Sequence, residues 1–447
     1  VKIINIVYLI IIFFVFDLYP QEDLKKDTLT LDLQKSIELA IEFNHDLKLA
    51  KLEEEKADEQ VREAWGSSVF PNISGNVNYN RAVKRGVIII DAPEIGFSGS
   101  FPQGTENTLT LGATLEQPLF TGAVFLAVRV AQTYADIQSK LVDATKAEVI
   151  VNVKKAYYSV LLAKEVLKLA NLNYRLAQDN REDTEKMYNA GVVPEYDFVR
   201  SRVQEKNLIP EVKQAENSLL LAENLLKFVT GLELTQPIRI VDSLKLVEMP
   251  VNAYDESTQS LLSNNFRLRS LELQISLQDD NTSYQFTKNL PELYLNGSWQ
   301  SQAQENDVRP FSRWRYFNSV YVGLNLKVPL FNGFQTSSRV EQAKIDLLKA
   351  KEEYNKTVKE LKNNLLDVIL SINQKKEELE AQKATIEEAQ LAYDISVKRY
   401  ASGVGTQLET IDAMVSLSRA KVNYYTAIYD YYILQAQLDQ LLSNNSE

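Results

Sequence analysis

The sequence predicts a mixed, mainly α fold in which two pairs of membrane-length β-strands join long helical rods, the whole written twice in tandem. Three observations carry this. The phrase PLFTG (118–122) returns as PLFNG (329–333), and three further landmarks recur with it in the same order. MYNAGVVPEYDFVRSR (187–202) matches RYASGVGTQLETIDAMV (399–415), VFPNISGNVNY (69–79) matches NLPELYLNGSW (289–299), and FNHDLKLA (43–50) matches NNFRLRSL (264–271). The repeating unit is roughly 210 to 220 residues, far beyond the about 20 to 50 of a solenoid, so one complex unit has been copied once. Each copy also holds two stretches of period-two hydrophobicity and one very long helical stretch free of proline and glycine.

In chain order, one lysine, Lys2, precedes an apolar run from Ile3 to Phe16 and an acidic segment. That is the shape of a secretory signal over residues 1–21, too short for a span of about 20 apolar residues; an uncleaved N-terminal anchor is the other reading. The first repeat is expected over 22–230, a linker over 231–256, the second repeat over 257–443 and a tail over 444–447. Strands are expected at about 71–80 and 108–117, then at about 291–300 and 319–328. In each, one face is polar (Asn76, Asn78, Thr114, Asn296, Ser298, Asn325) and the other apolar (Val77, Leu111, Leu295, Leu324). Their length of about 9 to 11 residues suits a tilted membrane strand, although a water-soluble sandwich has the same alternation.

The long helices are expected at about 123–189 and 335–402. In the second, Tyr354, Val358, Leu361, Leu365, Val368, Ile372, Leu379, Ile386, Ala389 and Tyr393 keep the three-and-four spacing of a coiled-coil seam. Each rod would reach about 100 Å at 1.5 Å per residue. Half-length helices at 31–65, 195–228, 257–286 and 407–442 flank them, two stacked end to end matching one rod. The chain reverses at Gly191-Val192-Val193-Pro194 and at Gly403-Val404-Gly405-Thr406, where glycine permits a left-handed helix end and proline suits the next helix start. Each Pro-Leu-Phe-x-Gly phrase is a joint between strand and rod. Pro118 and Pro329 end a strand, Phe120 and Phe331 sit at the lipid boundary, and Gly122 and Gly333 let the backbone turn.

Four strands cannot close a barrel alone, since the smallest membrane barrels have about 8. Open edges are not tolerated in lipid, so the chain must oligomerise. A dimer would give about 8 strands around a packed interior, a trimer about 12 around a lumen, and the polar inner face favours the trimer. Tyr79, Trp299, Trp314 and Tyr316 fit the second aromatic girdle of such a barrel, or ordinary core aromatics. The loops at 81–106 and 301–317 are the outward-facing ones.

Composition closes off other classes. A net charge of −11 argues against a nucleic-acid partner. The absence of cysteine excludes disulfides, cysteine-ligated zinc, a thiol nucleophile and a lipid-anchored N-terminal cysteine. No phosphate loop, nucleophile elbow or metal-ligand cluster is legible, and the single histidine, His45, sits beside Asp46 in a helix, so no enzyme and no cofactor are expected.

With the two junction phrases, RYASGVGTQLETIDA and NAGVVPEYDFVRSR, the chain beyond its leader resembles the TolC-like outer-membrane efflux protein family of Gram-negative bacteria. The resemblance implies a homotrimer with a twelve-stranded outer-membrane β-barrel continuous with a long periplasmic α-helical barrel. It implies a passive exit duct, docked by a periplasmic adaptor (membrane fusion) protein and driven by an inner-membrane pump. A duct for one-component (type I) protein secretion is the alternative, and a secreted structural coiled-coil protein without a pore is an alternative of another class. The resemblance also places a gate at the periplasmic tip. Glu409 and Asp412 match its carboxylates, Asp197 the corresponding place in the first unit, and Tyr400 a tip aromatic; solvated charge in a first helical turn is the plainer reading. The basic partner that some members place two residues after the turn glycine is replaced here by Gly405, leaving Arg200 and Arg202 as substitutes. Glu116 and Lys327, just before the two junctions, would face the lumen.

Overall fold

Residues 28–250 and 252–443 are described here from a computed structural model. The expected signal and the tail at 444–447 lie outside the described residues. The two proline- and glycine-free stretches form single helices, α3 (Val124–Asn189) and α7 (Gln335–Ala401), of 66 and 67 residues. The seam of α7 faces inward: Leu361, Leu365, Val368, Ile372 and Leu379 are buried and Tyr354, Val358, Ile386, Ala389 and Tyr393 half-buried, while Asn363, Asn364, Asp367, Gln374 and Glu377 between them are exposed. Each rod turns at its far end into a half-length helix, α4 (Glu195–Thr230) and α8 (Gln407–Leu442).

Above those, the expected single helices are each broken in two. The first is α1 (Leu33–Phe43) plus α2 (His45–Val69), and the second is α5 (Tyr254–Asn264) plus α6 (Phe266–Thr287). The break falls on an asparagine both times. Asn44 (ψ 134°) and Asn265 (ψ 120°) leave helical geometry, and their side-chain oxygens accept N–H bonds from the helix that follows. Asparagine competes with its own backbone in this way, which hydrophobic periodicity does not register. Each amide nitrogen then ties the break to the end of a tip helix: Asn44 Nδ2 donates to Val229 O at 2.8 Å, and Asn265 Nδ2 to Leu441 O at 2.9 Å. The 25-residue α2 and 36-residue α4 thus share the length of α3, and α6 with α8 that of α7.

The strands form one antiparallel four-stranded sheet in the order β2 (Asn72–Arg81), β5 (Asn107–Phe120), β7 (Glu292–Glu305), β8 (Tyr316–Lys327). The two units meet at β5–β7, with Thr114 opposite Ser298 and Glu116 opposite Asn296. This register puts Asn76, Thr114, Ser298 and Tyr321 on one face and Ile73, Leu115, Leu295 and Leu324 on the other. β2 and β8 are the open edges.

Three expectations are corrected. Pro118 does not end its strand: β5 runs to Phe120, and a register shift between Pro118 and Phe120 absorbs the missing N–H. In the second unit the strand stops at Lys327, before Pro329. The loop at 81–106 contains an antiparallel hairpin, β3 (Val87–Ala92) and β4 (Phe97–Pro102), and β7 reaches Glu305, so little of the second loop is irregular.

The linker carries a short strand, β6 (Ile238–Ile240), parallel to β1 (Leu29–Leu31), and crosses the helices at their waist. Tyrosines pin it there. The Tyr157 hydroxyl donates to Asp242, Tyr432 accepts from Val247 N–H (3.0 Å) and donates to Lys245 O (2.7 Å), and Tyr431 accepts from Met249 N–H (2.9 Å). Burial pushes the Tyr157 and Tyr158 hydroxyls well above the ordinary tyrosine value, so they remain donors. The largest core lies at this level, with Leu31, Leu226, Leu261, Leu268, Leu365, Ile372 and Ile428 almost wholly buried. Truncating one such leucine or isoleucine to alanine costs about 2–5 kcal/mol.

Candidate functional site: hairpin tips, junctions and barrel face

Both tips close the same way. Val192 N–H bonds Met187 O and Gly191 N–H bonds Tyr188 O, each at 2.9 Å. Val404 to Arg399 (3.1 Å) and Gly403 to Tyr400 (3.0 Å) repeat the pattern. These are Schellman ends, and Gly191 (φ 73°) and Gly403 (φ 74°) occupy the left-handed position that excludes a side chain at low cost. Gly405 is needed for a different reason: a Cβ there would lie 2.9 Å from Arg399 Cβ and 3.1 Å from Tyr400 N. The residue that displaces a basic partner is thus one the tight turn requires.

The helix starts differ. Pro194 caps α4 without a side-chain bond, and Asp197 sits half-buried in the first turn, where a carboxylate favours the helix dipole. Thr406 caps α8, its Oγ1 accepting from Glu409 N–H and donating to Glu409 Oε1, both at 3.3 Å. The letters TQLE (406–409) carry the capping-box pattern, but the Glu409 carboxylate meets the Thr406 hydroxyl rather than its backbone N–H. Glu409 also faces Arg399, Nε to Oε2 3.6 Å. Asp412, one turn further on, is exposed and has no ion-pair partner among the described residues. The two carboxylates therefore differ: Glu409 is held by its own hairpin, and Asp412 is free.

The Tyr400 hydroxyl is buried without a hydrogen-bond partner in the protomer. Neither substitute arginine reaches it: Arg202 lies over the Phe198 ring at 5.9 Å, and no bond joins Arg200 to Tyr400. Gln407, 2% exposed, is a tip residue the sequence did not suggest; its Nε2 donates to Thr184 Oγ1 at 3.3 Å and links the two hairpins. Arg181 adds a cluster on α3 and α4, bonding Glu185 (2.8 Å) and Glu205 (2.9 Å).

At the other end of the rods, the matching glycines of the two junctions do different work. A Cβ on Gly122 would meet Leu290 Cδ1 at 2.7 Å and Thr287 Cβ at 3.0 Å, so its role is close packing against the end of α6. Gly333 has open space but φ 63°, and Phe334 after it also adopts the left-handed region (φ 64°). Phe334 packs edge-on against Phe331, ring centroids 5.5 Å apart. Phe120 and Phe331 both remain exposed on the protomer. At the opposite end of the sheet Trp314 stacks on Tyr79 (6.5 Å), next to Tyr316.

Glu116 and Lys327 lie on the polar face of the sheet, as their register requires. Lys327 Nζ faces Glu292 Oε2 at 3.4 Å, and Ser74 and Thr114 hydroxyls bond across strands at 2.7 Å. Glu116 borders a shallow polar trough with Thr114, Asn296, Ser298 and Tyr321. No described helix is long and apolar enough to cross a membrane.

The sequence profile of the family described as "Outer membrane efflux protein" matches residues 36–232 and again 258–444. The chain belongs to the outer membrane efflux protein family. Each match covers one copy of the duplicated unit. Outer membrane protein TolC of Vibrio cholerae serotype O1 is 25% identical over 392 residues, covering 85% of this chain and 84% of the relative. The alkaline protease secretion protein AprF of Pseudomonas aeruginosa is 22% identical over 424 residues, covering 93% and 85%. Among solved structures, the CmeC outer membrane channel of Campylobacter jejuni superimposes with a TM-score of 0.77 at 20% identity, covering 93% of this chain and 87% of that one. Membership makes the chain an outer-membrane efflux channel that extends into the periplasm. The family is one of channels, not enzymes.

Proposed function

We propose that three copies of the chain close a twelve-stranded barrel and act as the passive exit duct of a tripartite efflux system for small molecules. A periplasmic adaptor docks on the hairpin tips, and an inner-membrane pump supplies the energy. The observation that carries this reading is the open four-stranded sheet, polar on one face and apolar on the other, joined directly to helices that reach about 100 Å. A sheet with lipid on one side and water on the other must close on copies of itself, and the polar face then lines a lumen. The two repeats (22–230 and 257–443) and the pinned linker between them (231–256) together supply one third of the tube.

The entrance lies at the tips. Under three-fold symmetry Asp412 forms a ring of free carboxylates, with Glu409 and Asp197 behind it, and such a ring attracts cations and repels anions. Tyr400 stands at the same tip, but its hydroxyl is buried within the protomer, so bonding an adjoining copy requires the ring to swing outward. Export of a protein rather than small molecules is a second reading, supported by the near full-length similarity to AprF.

Planar bilayers test the proposal. The wild-type protein is expected to give stepwise, cation-preferring conductance, and Glu409→Gln with Asp412→Asn to lower that preference or relieve divalent-cation block. Unchanged selectivity would remove these residues from the gate. No conductance from either protein would overturn the duct and leave a structural coiled-coil protein.

A further inference from the structure

The β3–β4 hairpin has no part in the duct as described, yet it is built with one apolar face. Ile88 pairs with Phe101 and Ile90 with Gly99, so these positions and Phe97 share a side of the ribbon. Gly99 leaves room for the Phe101 ring, and Phe97 and Phe101 stack across it with centroids 5.5 Å apart and planes at 7°. The opposite face is mixed, carrying Asp91, Ser98 and Ser100 together with Val87, Ile89 and Pro102. Ile88, Ile90, Phe97 and Phe101 are each between 43% and 45% exposed, so the protomer covers only part of the apolar side.

The base of the hairpin is firmly held. Arg81 makes a two-pronged ion pair with Asp307, which also accepts from Asn107 Nδ2 at 2.7 Å. Arg85 bonds Asn306 Oδ1 at 3.3 Å, and Gln103 N–H bonds Gly86 O at 2.7 Å. The ribbon is therefore an ordered extension of β2 and β5 beyond the barrel rim.

Its position indicates what covers it. β3 follows β2 after five residues, and β2 is an open edge of the sheet. β8 is the other edge and runs antiparallel to β2, so closing the barrel sets β2 of one copy beside β8 of the next, rim end to rim end. At the rim, β8 begins with Tyr316 and Phe317, both exposed, the latter 68%. Just before them stand Arg313 and Arg315, exposed and without an ion-pair partner among the described residues. The hairpin carries Asp91 and Glu94, equally exposed and unpaired. Apolar face meets apolar strand end, and the Glu94 carboxylate in the hairpin turn is free to meet a guanidinium of Arg313 or Arg315.

We infer that the β3–β4 hairpin is an external clasp that docks on the rim end of β8 in the adjacent copy of the chain, fastening the seam between protomers. The inference rests on the trimeric duct proposed above. It assigns the hairpin a partner, an adjacent copy, rather than outer-leaflet lipid or the hairpins of the other copies gathered over the pore axis.

The sequence has no cysteine, so cross-linking reads this contact cleanly. Phe101→Cys and Phe317→Cys chains, each carrying a different tag, are co-expressed, and the mixed assembly is oxidised after its mass is measured. The expected result is a covalent dimer containing both tags, with little product from Phe101→Cys alone. A trimer of correct mass that gives no mixed product with Phe317→Cys or Phe311→Cys overturns the clasp while leaving the duct intact. Efficient cross-linking of Phe101→Cys to itself overturns it in favour of contact over the axis. An environment-sensitive dye on Phe101→Cys that changes only when the detergent-extracted trimer enters bilayer vesicles overturns it in favour of lipid. A protomer-sized mass overturns both the clasp and the trimer. As a second readout, Glu94→Arg is expected to lower the temperature at which the trimer dissociates in detergent, and Glu94→Arg with Arg315→Glu to restore it. Failure of the charge swap to restore that temperature counts against the assigned partner.

Discussion

Gly405 shows how much one position at a tip decides. The turn brings its Cα hydrogens against the last turn of α7, leaving no room for a Cβ. Gly405→Val is therefore expected to cost about 1–3 kcal/mol through overpacking and to shift the tip. Gly191→Ala, with open space around it but a left-handed φ, is expected to cost about 1 kcal/mol. Thermal melts of the purified proteins rank the two, and co-purification with an adaptor reads the effect on docking. Glycine at both turns was legible from the letters. That Gly405 serves packing and Gly403 conformation was not, because the clash involves the backbone five and six residues earlier.

Asp307 makes a pH prediction at the same scale. The Asn107 amide and the Arg81 guanidinium hold its carboxyl below the usual 3.8. A carboxyl depressed on folding stabilises the folded state above its ordinary value, and that contribution is lost as pH falls through the depressed one. Acidification through this range is expected to loosen the rim loops, read as faster proteolysis within 82–106. Asp307→Asn should remove the acid dependence. Because the pair is exposed, the effect should be small and should weaken with salt.

At the scale of elements, the rods were legible because nothing in them interrupts a helix, and because α7 repeats its apolar positions along one seam. The strands were legible from period two, although their ends moved: pairing continues wherever a neighbour offers hydrogen bonds, even through Pro118. The β3–β4 hairpin was missed because a ribbon with glycine and proline at its margins reads as loop. The asparagine breaks were missed because they depend on distant carbonyls. They form a matched pair, since α4 ends at Gly231 (φ 73°) and α8 at Ser443 (φ 49°), both left-handed and both beside the broken helix of their own unit. Asn44→Ala and Asn265→Ala each remove a helix cap and the bond to Val229 or Leu441. A loss of about 0.5–2 kcal/mol is expected from the cap alone. Asn→Asp, which keeps the cap acceptor but not the amide donor, should separate the two contributions in denaturant melts.

At the scale of the molecule, the duplication explains why one chain carries two of everything at unequal cost. The two junctions share five letters but use their glycines differently, and the two tips share a turn but differ in their caps. Copying preserved the architecture while side chains diverged at the points of contact. The tip carboxylates were indistinguishable as letters, and only the bonds to Thr406 and Arg399 separate Glu409, a held carboxylate, from Asp412, a free one. Asp412→Ala alone should therefore lower cation selectivity more than Glu409→Ala, whose main effect should fall on stability. Single-channel recordings and melts of the two variants check this together.

The central claim is that three protomers close one tube across membrane and periplasm. Electron microscopy of the detergent-extracted protein tests it most directly. A three-fold particle with a short barrel and a helical tube of about 100 Å is expected. A monomeric or two-fold particle, or rods that splay without enclosing a central space, would contradict it.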